Sequence, residues 1–306
     1  MPMNENNKIL SPMVDIIFKI LFGTENGIDI LADFLMAVLD LSPDEYDDIT
    51  IANPFLMQEY QGDKLGILDV KLKLKSGKVI NIEIQVDSVP FMESRIMFYV
   101  SRLVTEQVNE GDQYDKIKRV ISIIITDHPL IDESVKYHHR FVLYDIESGI
   151  QLTDILEIHT LEMPKARKMF DSAENTHLLN WMKFFDSKTK EDLDMLAQTS
   201  PAIKKATVRL MELSADEKAR QLYEARLKEQ RDIYAREQGA LQRGMQQGMQ
   251  KGMQQGMQKG MQQGMQKGIQ QTLLTTAQNA LRMQMPVDDI VKLTGLSHAE
   301  IESLNT

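Results

Sequence analysis

The sequence contains no cysteine, which excludes disulfide bonds and thiolate metal sites. A reducing compartment suits such a chain, so we expect the protein in the cytoplasm. No apolar run approaches the roughly 20 residues that cross a bilayer, and residues 1–12 lack the apolar core of a signal peptide. We therefore expect no membrane partner.

Basic residues are outnumbered by acidic ones, with 35 Lys and Arg against 45 Asp and Glu and a net charge of −10. This balance argues mildly against nonspecific nucleic-acid binding, which depends on cationic contacts to phosphate. The excess of acid is concentrated in residues 1–60, whereas the stretch 239–272 holds four bases and no acid. The overall charge therefore does not decide whether the protein binds DNA.

Several catalytic motifs are missing. The sequence has neither a phosphate-binding glycine loop nor a serine-nucleophile motif, and its six histidines show no ligand-like spacing. His138 and His139 are adjacent, so on a strand they would point to opposite faces and would not share a metal ion.

Apolar periodicity predicts an α/β core of about 165 residues, in the order helix, three strands, helix and further strands. Residues 175–238 have a helical pattern, and we expect Trp181, Phe184 and Phe185 to anchor them to the core. The predicted core helices are 13–22, 26–41 and 92–109, and the predicted strands are 48–60, 66–74, 78–86, 119–126, 138–146 and 155–161.

We predict four segments along the chain. These are a core (1–170), a helical extension (171–240), a glycine repeat (241–271) and a small helical unit (272–306). In the last segment, Ser297 and Glu300 form a capping box after the turn at Gly295. This geometry resembles a helix-turn-helix, but its second helix is acidic and lacks Arg and Lys, which favours a docking or capping element over DNA reading.

The repeat places seven glycines at every fourth position from Gly244 to Gly268. On a helix such a stripe drifts by about 40° per repeat, so it cannot form one straight seam. Seven interior glycines cost a helix roughly 7 kcal/mol relative to alanine. The segment is either a helix that self-associates through its glycines or a semi-flexible spacer, and we favour the spacer.

The most informative segment is the predicted hairpin of residues 66–86. A two-residue turn would mix charged and apolar side chains on each face. A three-residue loop, Lys75-Ser76-Gly77, instead pairs residue 74 with residue 78 and places all the leucines and isoleucines on one face. The other face then carries Asp69 directly opposite Glu83, with Gln85 two residues further along.

Two carboxylates that face each other across strands repel unless a cation lies between them. Mg²⁺ or Mn²⁺ would suit Asp69 and Glu83, and would support phosphodiester hydrolysis. Gln85 could hold the attacking water, and Lys71 could supply positive charge as a contact to DNA. The simpler interpretation is a solvent-facing sheet in which Asp69 and Glu83 pair with Lys71 and Lys73, and spacing alone favours this interpretation.

Five ordered motifs lie between about residues 10 and 165. They are DIIFKILFG at 15–23, LDV at 68–70, NIEIQ at 81–85, Arg95-x3-Tyr99 and Gly111-x2-Tyr114. In these motifs the chain resembles the Rpn family of recombination-promoting nucleases and transposases, in the PD-(D/E)XK superfamily.

This resemblance implies a restriction-endonuclease-like α/β core, with a mixed sheet flanked by helices and an α-helical C-terminal extension. It also implies a metal-dependent DNA endonuclease, with Asp69 and Glu83 as the two motif acids. Gln85 occupies the position usually held by lysine, and this departure puts the rate of the reaction in doubt. Asp15 lies where the first helix of the superfamily often contributes an acid near the metal, although a helix N-terminus also favours an acid there.

Arg95 and Tyr99 lie one turn apart on the helix that follows. A phosphate contact by Arg95 is plausible, whereas packing of Tyr99 against the sheet is favoured over a DNA contact. Two alternatives to an endonuclease stay open: a noncatalytic DNA-binding module, and an assembly protein that forms homo-oligomers through the C-terminal helices.

Overall fold

The computed structural model describes residues 9–52, 69–87, 89–172 and 176–305. The strands are β1 (Thr50–Ala52), β2 (Val70–Lys73), β3 (Val79–Gln85), β4 (Val120–Thr126), β5 (His138–Val142) and β6 (Leu156–Glu162). The helices are α1 (Asp15–Phe22), α2 (Ile28–Val38), α3 (Met92–Thr105), α4 (Met163–Arg167), α5 (His177–Asp186), α6 (Lys190–Leu196), α7 (Pro201–Ala215), α8 (Glu217–Arg282), α9 (Val287–Thr294) and α10 (His298–Glu302).

The strands form one mixed sheet in the order β1-β2-β3-β4-β6-β5. The β3, β4 and β6 strands run parallel to their neighbours in this group, and the remaining pairs are antiparallel. Helices pack on both faces, so the predicted mixed sheet flanked by helices is confirmed. The predicted strand at 48–60 is seen as β1, and residues 53–68 lie outside the described residues.

One face of the sheet packs against α1, α2 and the helices that follow β6. Phe18 and Phe22 of α1 stack with ring centroids 4.5 Å apart. Trp181 lies edge-on to Phe22, and its indole N–H donates to the Asp33 carboxylate over 2.9 Å. Trp181 is fully buried, as the sequence predicted, and this aromatic cluster fixes α1 in place.

The α3 helix covers the opposite face. Its residues Ile96, Tyr99, Val100 and Leu103 pack with apolar side chains of β3, β4 and β6. This face is therefore an interior layer, which determines the environment of the polar hairpin residues. The helix ends at Thr105 rather than at residue 109, because the Gln107 amide turns to the backbone of Lys118 with contacts of 2.8 and 3.1 Å.

Two further boundaries differ from the sequence prediction. The strand predicted at 138–146 ends at Val142, because Asp145 and Gly149 form a turn in which Gly149 has a φ of 68°. The helical region 175–238 is divided among α5 to α8 by local caps. Thr189 forms a capping box with Asp192, and Ser200 accepts a hydrogen bond from the Ile203 N–H.

The chain divides into two units, 1–229 and 230–306. In the second unit, α8 continues as a helix through the glycine repeat and past the predicted boundary at 271. The methionines of the repeat are exposed there. A small apolar cluster of Ala277, Ile290 and Ile301 joins the last helices, and the predicted capping box of Ser297 and Glu300 is confirmed.

Candidate active site

The hairpin of β2 and β3 has the register that the sequence predicted. Val70 pairs with Ile82 and Leu72 with Ile80, and the Leu74 N–H donates to the Lys78 carbonyl over 2.9 Å. Gly77 closes the loop with a φ of 85°, which glycine adopts without the steric cost of a side chain. The apolar residues of the hairpin pack in the main core, so its second face carries the polar residues.

Asp69 immediately precedes β2 and, by this register, lies opposite Glu83. Its carboxylate accepts a hydrogen bond from the Ile84 N–H over 2.8 Å. The other oxygen lies 3.1 Å from the Lys19 ammonium of α1. Burial raises the pKa of Asp69, and these two partners oppose the increase. The predicted arrangement of Asp69 against Glu83 is therefore present, with a lysine beside it.

Glu83 is more deeply buried, with 8% of its surface exposed. Burial raises the pKa of Glu83 to about 7, and the negative charge of Asp69 adds to this effect. The amide of Asn81 donates to the Glu83 carboxylate over 3.2 Å and opposes the increase. The charged form of Glu83 is thus poorly compensated, as expected for a carboxylate that lacks a strong cationic partner.

The interpretation of this face as a solvent-exposed charged surface is wrong. Lys71 is buried and forms an ion pair with Glu106 at the end of α3. Asp69 pairs with Lys19 instead of a lysine of the hairpin, and Lys73 is exposed. Because the Lys71 ammonium neutralises Glu106 inside the protein, its predicted role as a DNA contact gains no support from the structure.

Gln85 lies on the face of Glu83 and pairs with Thr126 of β4. Its side-chain N–H₂ group donates to the Asp87 carbonyl over 2.9 Å. The carbonyl oxygen of an amide can accept a hydrogen bond from water, but the side chain carries no charge. Its role in holding the attacking water stays a prediction.

Asp15 lies in the first turn of α1, one turn before Lys19. Its carboxylate binds the Arg226 guanidinium of α8 in a bidentate ion pair with distances of 2.8 and 2.9 Å. Lys19, one turn further along α1, contacts Asp69, so Asp15 lies on the helix that approaches the acid pair, and its charge also raises the pKa of Asp69. Asp15 is therefore near the pair, but an arginine holds its carboxylate.

Arg95 and Tyr99 lie on the inner side of α3. Tyr99 is buried in the cluster between α3 and the sheet. Its side chain therefore packs against the sheet, which is the alternative that the sequence analysis favoured over a DNA contact. The Arg95 guanidinium lies 5.1 Å from the centre of the Tyr99 ring, and its positive charge lowers the pKa of Glu83. Its Nε has no hydrogen-bond partner within the described ranges.

The prediction that the adjacent histidines face opposite sides is confirmed. The Nε2 atom of His138 lies 2.8 Å from Nδ1 of His159, whereas Nδ1 of His139 lies 3.5 Å from a carboxylate oxygen of Glu162. Among residues 9–52, 69–87, 89–172 and 176–305, no three or more Asp, Glu or His side chains are grouped so that they could hold a metal ion. The pair Asp69 and Glu83 nevertheless fits a hard cation chemically, because carboxylate oxygens are the ligands that such ions prefer and the register places the two residues opposite each other.

Lys19 was not predicted from the sequence as a site residue. Its only sequence signal is its position on the first helix, one turn after Asp15, since helical residues four apart share a face.

The mixed six-stranded sheet between helix layers is consistent with the class of PD-(D/E)XK nuclease folds. A family model described as PD-(D/E)XK nuclease family transposase matches residues 12–240, and the chain belongs to this family. This match confirms the resemblance drawn from the motifs. No curated protein and no solved structure matches the chain.

Proposed function

We propose that the protein is a divalent-metal-dependent DNA endonuclease of the Rpn type, which acts in recombination or on mobile DNA. The observation that carries this proposal is the pair of the half-buried Asp69 and the buried Glu83, opposed across the hairpin with raised pKa values. A buried pair of acids is costly unless a cation or a proton compensates it. In a member of a nuclease family, a bound divalent cation would both offset the repulsion between the two carboxylates and support hydrolysis of a phosphodiester.

Asp69 and Glu83 would hold Mg²⁺ or Mn²⁺, with Asp15 as a third carboxylate once it is released from Arg226. When bound, the ion would polarise a phosphoryl oxygen and lower the pKa of a water. In the hydrolysis, the water oxygen bonds to phosphorus and one bond from phosphorus to a sugar oxygen breaks. The water gives up a proton, and the leaving oxygen gains one.

The remaining predicted residues take separate roles. The Gln85 amide orients the attacking water by a hydrogen bond, which it makes without adding charge. Arg95 contacts a phosphate through the part of its guanidinium that is not buried, because this half-exposed side chain lies on α3, the helix that follows the acid-bearing strand β3. Lys71 and Tyr99, which were predicted as DNA contacts, are buried, so we assign them no contact with DNA in this proposal.

The test is nicking of supercoiled plasmid by the purified protein with Mg²⁺ or Mn²⁺. We expect Asp69→Ala and Glu83→Ala to reduce the nicking rate by roughly 100-fold or more, because each removes a ligand of the ion. Glu110→Ala, which removes an exposed acid, is the matched control and should keep the wild-type rate. Equal nicking by all four proteins would contradict the proposal and indicate a contaminating nuclease.

A second candidate is a noncatalytic DNA-binding or assembly protein on the same fold. The uncharged Gln85 and the lack of a three-acid cluster among the described residues favour it. A gel-shift assay that shows DNA binding, together with no cleavage at any Mg²⁺ or Mn²⁺ concentration, would support this candidate over the nuclease.

We also propose that the protein works in the cytoplasm and forms homo-oligomers through its C-terminal helices. No described helix is both long and apolar enough to cross a membrane. The sequence has no cysteine, which agrees with a reducing compartment. Association through α8 is supported by its exposed methionines, whose burial in a second copy would stabilise the contact.

A further inference from the structure

The site requires positive charge that its third motif position does not provide. Gln85 occupies that position, and its side-chain N–H₂ group turns back to the Asp87 carbonyl at 2.9 Å. Hydrolysis of a phosphodiester places negative charge on phosphate oxygens, which a fixed cation would stabilise. A fixed protein cation that assists the metal ion would therefore come from elsewhere in the fold.

Lys19 is the basic side chain in direct contact with the acid pair within the described ranges. Its ammonium lies 3.1 Å from one oxygen of Asp69, and its positive charge also lowers the pKa of Glu83. The other oxygen of Asp69 is held by the Ile84 N–H at 2.8 Å. Lys19 and the backbone of β3 together fix the orientation of the Asp69 carboxylate.

The position of Lys19 is well defined by its helix. Phe18 and Phe22, which flank it on α1, are fully buried in the aromatic core. The lysine side chain itself is 36% exposed, so it reaches the site from a rigid helix and remains accessible from solution. Such preorganisation is what a site needs from a fixed charge, because no reorganisation is required during the reaction.

The other cations near the pair have different contacts. Lys71 is committed to Glu106 in a buried ion pair. The Arg95 guanidinium lies over the Tyr99 ring at 5.1 Å. Neither has a described contact with the Asp69 carboxylate, whereas Lys19 does.

We propose that Lys19 is the positioning lysine of this site, supplied from α1 in place of a lysine at position 85. It orients Asp69 and brings positive charge to the acid pair. This proposal rests on the proposed nuclease function and assigns a role to a residue outside the motif acids.

The test compares plasmid cleavage by four variants with that of the wild type. Lys19→Met should reduce the cleavage rate by roughly 100-fold, and Lys19→Arg, which keeps the charge, should retain more activity. The double variant Lys19→Met/Gln85→Lys returns a lysine to the strand position and should recover at least about tenfold over Lys19→Met. Lys73→Met makes the same change at an exposed lysine of the hairpin and should have the wild-type rate.

Mn²⁺ binding, measured by calorimetry without DNA, separates positioning from a structural role. Removal of the ammonium frees an oxygen of Asp69 and relieves repulsion, so Lys19→Met should bind Mn²⁺ roughly three- to tenfold more tightly while it cleaves more slowly. A structural defect would weaken both properties. Thermal unfolding of each variant checks that the fold is intact.

Cleavage by Lys19→Met at the wild-type rate, or a double variant no faster than Lys19→Met, would overturn the proposal. If the wild type cleaves no DNA, the proposed nuclease function fails, and the Mn²⁺ measurement decides on Lys19 by itself. Tighter binding by Lys19→Met would then support the contact with Asp69, whereas unchanged or weaker binding would overturn it.

Discussion

Glu83 is the residue whose chemistry depends most on its surroundings. The sequence shows an acid in an alternating strand, which is typical of an exposed sheet face. The α3 helix covers that face, so water is excluded and the pKa of Glu83 rises from an ordinary value of 4.5 to about 7. A residue with this pKa changes its charge near neutral pH and responds strongly to a bound cation.

This shift predicts a pH-dependent stability of the metal-free protein. Between pH 4.5 and about 7 the unfolded state loses the Glu83 proton while the folded state keeps it, so the free energy of unfolding falls as pH rises. The loss is of the order of 3 kcal/mol. Glu83→Gln should remove this contribution and be more stable than the wild type at pH 8. Urea unfolding at several pH values would test this, and parallel pH profiles would contradict it.

At the scale of elements, the hairpin is predictable from the sequence, but the packing of α3 over its polar face is not. The alternation of leucine and isoleucine, together with Gly77, fixes the register from local sequence alone. The contacts of Asp15 with Arg226, which is 211 residues away, and of Lys71 with Glu106 depend on how distant helices pack. The periodicity of a single segment does not encode such partners. The opposition of Asp69 and Glu83 is therefore predictable from the hairpin sequence, whereas the contact of Lys19 with Asp69 is not.

The backbone conformations of two glycines predict that replacing each by alanine has opposite effects on stability, in the hairpin and in α8. Gly77 has a φ of 85°, so Gly77→Ala should destabilise the hairpin by about 1 kcal/mol. Gly256 is helical, and an added Cβ would meet nothing within 4 Å, so Gly256→Ala should stabilise α8 by about 1 kcal/mol. Thermal unfolding followed by circular dichroism measures both, and shifts in the same direction would contradict this account.

At the scale of the whole molecule, the chain consists of two units with different compositions. The first, 1–229, holds the sheet, the apolar clusters on its two faces and the acid pair. The second, 230–306, holds most of the glycine repeat helix and a small apolar cluster of its own. The structure shows one continuous helix through the repeat.

Deletion of residues 244–271 tests the proposed assembly role. If exposed methionines of α8 join two copies, the deletion should convert an oligomer to a monomer, because the apolar surface that would be buried is removed. Light scattering of the full chain and of the deletion variant measures the mass directly. An unchanged number of subunits would exclude the repeat as the assembly element and favour the spacer.

The central claim, a divalent-metal nuclease site at Asp69 and Glu83, is tested most directly by the Mn²⁺ dependence of the DNA cleavage rate. We expect the wild-type rate to rise with Mn²⁺ and saturate. For Asp69→Asn, which keeps the shape of the side chain but removes its charge, we expect the curve to move to at least about tenfold higher Mn²⁺. Superimposable curves for the two proteins, or wild-type cleavage that persists without any divalent ion, would contradict the claim.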